Sequence, residues 1–365
     1  MGLYRKVPRL TETVGVHSDE TMAADLRAPF PWFGGKSRAA DLIWARFGDV
    51  PNYVEPFAGS LAVLLARPSA QKVETVNDLD CYLANFWRAL QHDADAVARY
   101  ADAPVNEADL HARHLWLTQQ AEFRERMKTD PDFYDAKIAG WWVWGQCLWI
   151  GSGWCGATNA EKIPNLTSGF GEGTGLHRKL PRLSTEGTGG TESDLPRQTP
   201  SISTPGTGIH ASGIHAYLAS LSQRLRRVRV VCGDWRRVCT PAVTTGIGLT
   251  GVLLDPPYGD VSDGLYSHGS RDGEDVAVAV RNWAVYHGDD PSMRIALCGY
   301  EGEHEMPDTW ACVGWKARGG YGSQRKDGEN LNRKRERIWF SPHCLSVGLP
   351  LDDVRPSSAS EAGKA

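Results

Sequence analysis

Asn52-Tyr53-Val54-Glu55-Pro56-Phe57-Ala58-Gly59-Ser60 sets the architecture of this 365-residue chain, whose first ordered element is expected to begin near Pro29. Asn52 to Glu55 reads as a short strand that Pro56 closes, and Phe57-Ala58-Gly59 as a turn around a glycine, the residue that tolerates unusual backbone angles. Leu61 to Ala66 reads as an apolar helix, Lys72 to Val76 as the next strand, and Leu79 to Leu90 as the helix after it. A strand, a glycine turn, a helix and a second strand begin a nucleotide-binding α/β sheet. Gly59 predicts close approach of the backbone to a ligand, with the positive N-terminus of the following helix behind it. Asn77-Asp78-Leu79-Asp80 then falls at the end of the second strand, about 20 residues on, where an acid meets ribose hydroxyls in dinucleotide folds.

Working outward, residues 93 to 150 become helical. Glu107 to Met127 and Asp132 to Leu148 are the clearest segments, and Trp141, Trp142, Trp144 and Trp149 predict the core of a small helical lobe. Residues 169 to 213 are rich in Gly, Thr, Ser and Pro and repeat imperfectly: Gly-Thr-Gly-Leu-His at 173–177 returns as Gly-Thr-Gly-Ile-His at 206–210. So little apolar surface predicts a flexible insert. Order returns with a helix over Ala216–Arg226 and strands over Arg229–Cys232 and Leu249–Leu254. A helix over Glu274–Tyr286 and strands over Met293–Leu297 and Arg337–Phe340 follow. Residues 1–28 and 346–365 read as tails. The expected domains are therefore a catalytic α/β unit over 29–92 and 214–345, a helical lobe over 93–168, and the insert over 169–213.

Leu253-Leu254-Asp255-Pro256-Pro257-Tyr258 carries the strongest chemical signal. Two apolar residues close a buried strand and place an acid at its C-terminal end, where open α/β sheets put their chemistry. The prolines remove backbone donors, leaving carbonyls free to accept. The amino group of a planar base is a poor nucleophile because its lone pair is delocalised into the ring. Asp255 and the Pro256 carbonyl could each accept one of its N–H bonds and draw the nitrogen toward sp³ geometry, while Tyr258 offers a face for an extruded base. Upstream, Pro29-Phe30-Pro31-Trp32-Phe33-Gly34-Gly35-Lys36 joins an aromatic, a glycine pair and a cation. Gly34 and Gly35 allow tight approach, and Lys36 could meet a carboxylate.

Trp-x-Gly-Gly-Lys, Glu-Pro-Phe-x-Gly and Asp-Pro-Pro-Tyr, in that order, resemble the Dam-like DNA adenine-N6 methyltransferases, from about Pro29 to Pro342 with a gap at the insert. The resemblance implies a Rossmann-like methyltransferase sheet with helices on both faces, a smaller helical target-recognition lobe, S-adenosylmethionine as donor and double-stranded DNA as substrate. By the same matching, Trp32, Gly34, Gly35, Lys36, Glu55, Phe57 and Gly59 are cofactor positions, and Asp78 holds the ribose. Asp234 and Trp235 contact the cofactor adenine, with Trp235 packing on the ring, and Asp255, Pro256, Pro257 and Tyr258 form the catalytic tetrad. Asn332 and Arg337 to Phe340 resemble the closing segment. A cognate restriction endonuclease is a candidate partner.

Eight lysines or arginines against three acids over Lys316–Arg337 read either as a solvated hairpin or, the favoured reading, as phosphate contacts from Lys316, Arg318, Arg325, Lys326 and Arg333. Such a patch is required because the net charge is −4 and the pI about 6.3, so the overall field does not attract DNA. Glu107, His111 and His114 share one helical face but have no fourth ligand, which predicts a solvent-facing helix and no metal. The eight cysteines form no Cys-x-x-Cys pair, and no apolar run is long enough to span a bilayer, so a cytoplasmic enzyme is expected. Cytosine-C5 chemistry is excluded because that family uses a Pro-Cys nucleophile and the chain has no Pro-Cys. Methylation of cytosine N4, RNA adenine or a glutamine side chain, and a catalytically silent DNA-binding relative, are the alternatives.

Overall fold

The computed structural model describes residues 26–32, 34–130, 132–149, 154–155, 211–257, 275–315 and 335–346. Seven strands form one sheet: β1 (Asn52–Glu55), β2 (Val73–Asp78), β3 (Arg229–Cys232), β4 (Thr250–Leu254), β5 (Met293–Tyr300), β6 (Ala311–Gly314) and β7 (Glu336–Phe340). Their spatial order is β3-β2-β1-β4-β5-β7-β6. Strands β1 to β5 are parallel to one another, whereas β7 runs antiparallel between β5 and β6. The helices are α1 (Ala40–Phe47), α2 (Ala62–Leu65), α3 (Cys81–His92), α4 (Ala94–Ala101), α5 (Glu107–Thr118), α6 (Ala121–Thr129), α7 (Ala136–Leu148), α8 (Ala211–Leu225) and α9 (Val276–His287). This is the Rossmann-like methyltransferase sheet that the motifs imply.

Every residue of β1 and β4 is buried, as expected of parallel strands covered on both faces. Alternation sorts the side chains between two cores. Val54, Val252, Leu254, Ile295 and Leu297 pack with Val280 and Ala284 of α9 and with Trp235. Tyr53, Leu253, Ala296, Cys298 and Phe340 face the other way, into a larger core with α1, α3, α4, α7 and α8. That core continues without a break into Trp142, Trp144 and Trp154, so the helices after β2 pack directly on the sheet's own α3. Asp80, Asn106, Asp135 and Asp275 cap α3, α5, α7 and α9 by accepting from first-turn N–H groups.

Three readings of the sequence need correction. Glu107–Met127 is not one helix but α5 and α6, broken at Gln119 and Gln120. The Thr118 hydroxyl donates to the carbonyls of His114 and Leu115, taking up last-turn acceptors without any Gly or Pro to mark the break. Helix α8 starts at Ala211, earlier than the expected Ala216 and inside the stretch assigned to the insert; residues 156–210 lie outside the described residues. The face of α5 that bears the two histidines is not solvent-facing. His114 is buried, 4.9 Å from the Trp149 ring and 5.4 Å from Trp154, and the Cys155 N–H donates to its Nδ1.

A buried ion cluster ties the helical layer to the sheet. Glu74 on β2 accepts from Arg67 at 3.2 Å and from Arg224 of α8 at 2.7 and 2.9 Å. Arg67 also reaches the Val50 carbonyl and lies over the Trp44 ring, and Arg224 reaches the Leu64 carbonyl. Removing the carboxylate would leave buried guanidinium charge uncompensated. Glu74→Ala is expected to lower the unfolding free energy by about 3–5 kcal/mol; urea unfolding checks this, and a loss below about 1 kcal/mol contradicts it.

Candidate active site

Strand order reverses between β1 and β4, so a crevice opens beyond their carboxyl ends, the usual ligand position in such sheets. Three acids meet at this rim: Glu55 closes β1, Asp78 closes β2, and Asp255 follows β4.

The rim is built around Asn77 and Asp78. The Asn77 amide donates to the Pro56 carbonyl at 2.9 Å and to the Gly233 carbonyl at 3.0 Å. Its backbone carbonyl accepts from Ala58 N–H, and the Asp78 carbonyl from Gly233 N–H. The Asp78 carboxylate accepts from Gly59 N–H at 3.0 Å and Asp80 N–H at 2.9 Å. Two consecutive residues thus hold the loops after β1, β2 and β3. Burial pushes the Asp78 carboxyl up to about 6, against the lowering effect of those N–H donors.

Gly59 adopts φ +46°, and the protein itself makes a close approach to it. A Cβ there would lie 2.6 Å from Trp32 Nε1, so the indole packs against the side of the glycine where a side chain would stand. Trp32 in turn packs at 5.9 Å on Phe30 and 6.4 Å on Trp142, members of an aromatic cluster that also includes Phe86 and Trp87. Gly34, at φ +73°, turns the chain so that the buried Lys36 ammonium meets its carbonyl at 2.8 Å.

The same ammonium lies 2.8 Å from Asp255 Oδ1. Burial pulls the Lys36 pKa down, but the charge of Asp255, aided by Cys298 and Glu336, outweighs it and holds the group above its ordinary value. Glu55 is buried and accepts from the Tyr53 hydroxyl at 3.1 Å. Burial drives its carboxyl well above the ordinary range; the Tyr53 bond opposes this, and Asp255, Glu74 and Asp78 reinforce it. Adjacent acids therefore differ in surroundings: Glu55 is buried against the Tyr53 hydroxyl, and Asp255 is paired with Lys36.

Asp234 caps the single 3₁₀ turn Trp235–Val238 through Arg236 N–H and is half exposed. Trp235 does not offer the open ring face expected of it: it is 6% exposed, in the core beneath the sheet, with the half-buried Phe57 ring 6.2 Å away. Pro256 is buried and Pro257 half-buried. Tyr258, Lys316, Arg318, Arg325, Lys326, Arg333 and Asn332 lie outside the described residues. Sequence reasoning missed Asn77 as the organising amide and Glu336 as a buried acid near Lys36. For Asn77 the signal was present in its place beside Asp78. Among the described residues no group of His, Cys, Asp or Glu could hold a metal, and no helix is long and apolar enough to cross a membrane.

The seven-stranded order with acids at its switch point defines an enzyme of the methyltransferase class. Residues 32–136 match the family model of D12 class N6 adenine-specific DNA methyltransferases, a segment that holds the Lys36 motif, β1, β2 and the helices through the start of α7 and ends before Asp255. The match supports the resemblance to the Dam-like DNA adenine methyltransferases that the motifs carry, and with it DNA adenine methylation as the general reaction. No curated protein matches the chain.

The pH dependence of stability checks the Asp78 environment. A folded value near 6, above the ordinary 3.8, means that the folded chain holds a proton there that the unfolded chain releases. This contribution to stability is lost as pH rises between those values. The stability of wild type relative to Asp78→Asn is therefore expected to fall as pH rises from about 4 to 7. Urea unfolding at several pH values measures it, and a constant or rising difference contradicts it.

Proposed function

We propose that the protein transfers a methyl group from S-adenosylmethionine to N6 of an adenine turned out of duplex DNA. The observation that carries this reading is the pair formed by buried Lys36 and half-buried Asp255, 2.8 Å apart at the switch point. The donor set suits the cofactor: Asp78 has lone pairs beyond those engaged by Gly59 and Asp80, as a ribose diol requires. Beside it, Asn77 Oδ1 is a buried acceptor without a hydrogen-bond partner among the described residues. Asp234 would accept from the cofactor's adenine amino group, with Phe57 against the base. Trp32, Gly34, Gly35 and Gly59 would shape the wall, with Lys36 and Glu55 at its polar end. When bound, the cofactor supplies an electrophilic methyl group on a sulfonium.

The chain's own task is to activate and hold the amine. Asp255 and the Pro256 carbonyl accept the two N6–H bonds, which localises the nitrogen lone pair, and Tyr258 supports the base by stacking. Lys36 restrains the Asp255 carboxylate through Oδ1, so the acceptor is oriented before substrate arrives; such preorganisation is where polar catalysis gains most. Burial disfavours the charged form of Glu55, which lessens the negative charge beside Asp255. The basic residues Lys316, Arg318, Arg325, Lys326 and Arg333 are assigned to DNA phosphates on sequence grounds.

Asp255→Ala is expected to abolish methylation, since losing one preorganised polar partner costs roughly 10²–10³ in rate. Near-normal labelling of DNA from radioactive cofactor would refute the role. Lys36→Met is expected to lose a comparable factor in kcat, with partial recovery in Lys36→Arg; a full rate in Lys36→Met would dissociate Lys36 from Asp255 function. Calorimetry is expected to show weaker S-adenosylmethionine binding in Asp78→Ala than in Asp255→Asn, and equal affinity of Asp78→Ala and wild type would refute the ribose assignment.

A further inference from the structure

We infer that the free edge of the sheet along β3 is a phosphate-binding surface that takes the backbone of duplex DNA flanking the methylated adenine. The inference rests on the DNA-methylating reading above and adds a surface that no motif marked. From Arg224 to Arg237 the chain carries six arginines and one acid, Asp234, within a protein of net charge −4. The topology gathers them: among the described strands β3 is outermost and pairs with β2 alone. Arg226 and Arg227 occupy the turn from α8 into β3, Arg229 is its first residue, and Arg236 and Arg237 lie on the 3₁₀ turn beyond it. A four-residue strand spans about 13 Å, so the cations run along one edge for the length of several phosphates.

The arginines divide by what they touch. Arg224 turns inward to Glu74, and Arg237 Nη1 donates to the Cys232 carbonyl at 2.7 Å. Arg236 lies over the Trp235 ring and 3.4 Å from Asp234. Arg226, Arg227 and Arg229 are exposed, and their side chains make no ion pair or hydrogen bond among the described residues. Neighbouring acids are engaged elsewhere: Glu74 by two arginines, Asp93 as the cap of α4, and Asp95 by His215. A charge that merely blocks strand addition at an edge works with either sign and is most often lysine. A run made of arginine alone fits the planar, multi-donor recognition of phosphate.

The test is the triple variant Arg226→Gln, Arg227→Gln, Arg229→Gln, bound to a fluorescent duplex of about 30 base pairs across about 50–200 mM salt. Its plot of log affinity against log salt is expected to be less steep than wild type by about 0.9 for each phosphate no longer neutralised, or about 2–3 in all. The corresponding triple lysine variant is expected to keep the wild-type slope. The methylation rate at saturating DNA and low salt should be unchanged, because none of the three residues touches the reacting atoms. A folded glutamine variant with wild-type slope and affinity overturns the inference. If the triple variant melts early, Arg226→Gln and Arg227→Gln are measured singly; each should shift the slope by about 0.9, and no shift in either overturns it. Binding is read without turnover, so a wild type that binds DNA but leaves adenine unmethylated counts against the proposed reaction and not against this surface.

Discussion

The two residues that end β2 hold the rest of the rim in place. Asn77 and Asp78 supply hydrogen bonds to the loops after β1 and β3 and to the turn into α3, so the carboxyl ends of three strands are tied together. An amide can do this because it donates twice, and a carboxylate because each oxygen has lone pairs to spare. The cost is a partly desolvated acid, visible in the raised Asp78 carboxyl. Burying a polar group is tolerable only when partners replace water, and here the partners are backbone N–H groups that the loop geometry would otherwise leave unmet.

The second organising pair, Lys36 and Asp255, joins that rim to the far side of the switch point. A buried ammonium paired with a half-buried carboxylate contributes little net stability, because desolvation offsets the attraction. Their value lies in direction. The pair fixes where an acceptor points, and its neighbours Glu336 and Cys298 on β7 and β5 extend the polar floor under it.

Much of this is legible in the residues. Strand, glycine turn, helix and strand from Asn52 onward are short-range patterns, and the structure reproduces them within a few residues. Lys36 meets the carboxylate that its motif calls for. What escapes the sequence is decided by packing at long range. Helices α1 and α4 and the four-residue β6 have too few residues to show periodicity. The break between α5 and α6 turns on a Thr hydroxyl competing for carbonyls. His114 looks polar and exposed in the sequence because its partners, Trp149 and Trp154, lie 35 and more positions away and cover it only after folding. Gly59 does mark a close approach, and Trp32 makes one.

The adjacency of β1 and β4 in the sheet bears on how the chain is made. A ribosome delivers β1 early, but its partner on one side emerges only after the helices and the whole repetitive stretch. Until then the buried edge of β1 has no neighbour there, and Lys36 has no counter-ion. Non-local pairing of this kind is slow to form. The helices α3, α4 and α7, which pack locally, can shelter the nascent half-sheet in the interval. The rim where Lys36 meets Asp255 is thus among the last parts to assemble.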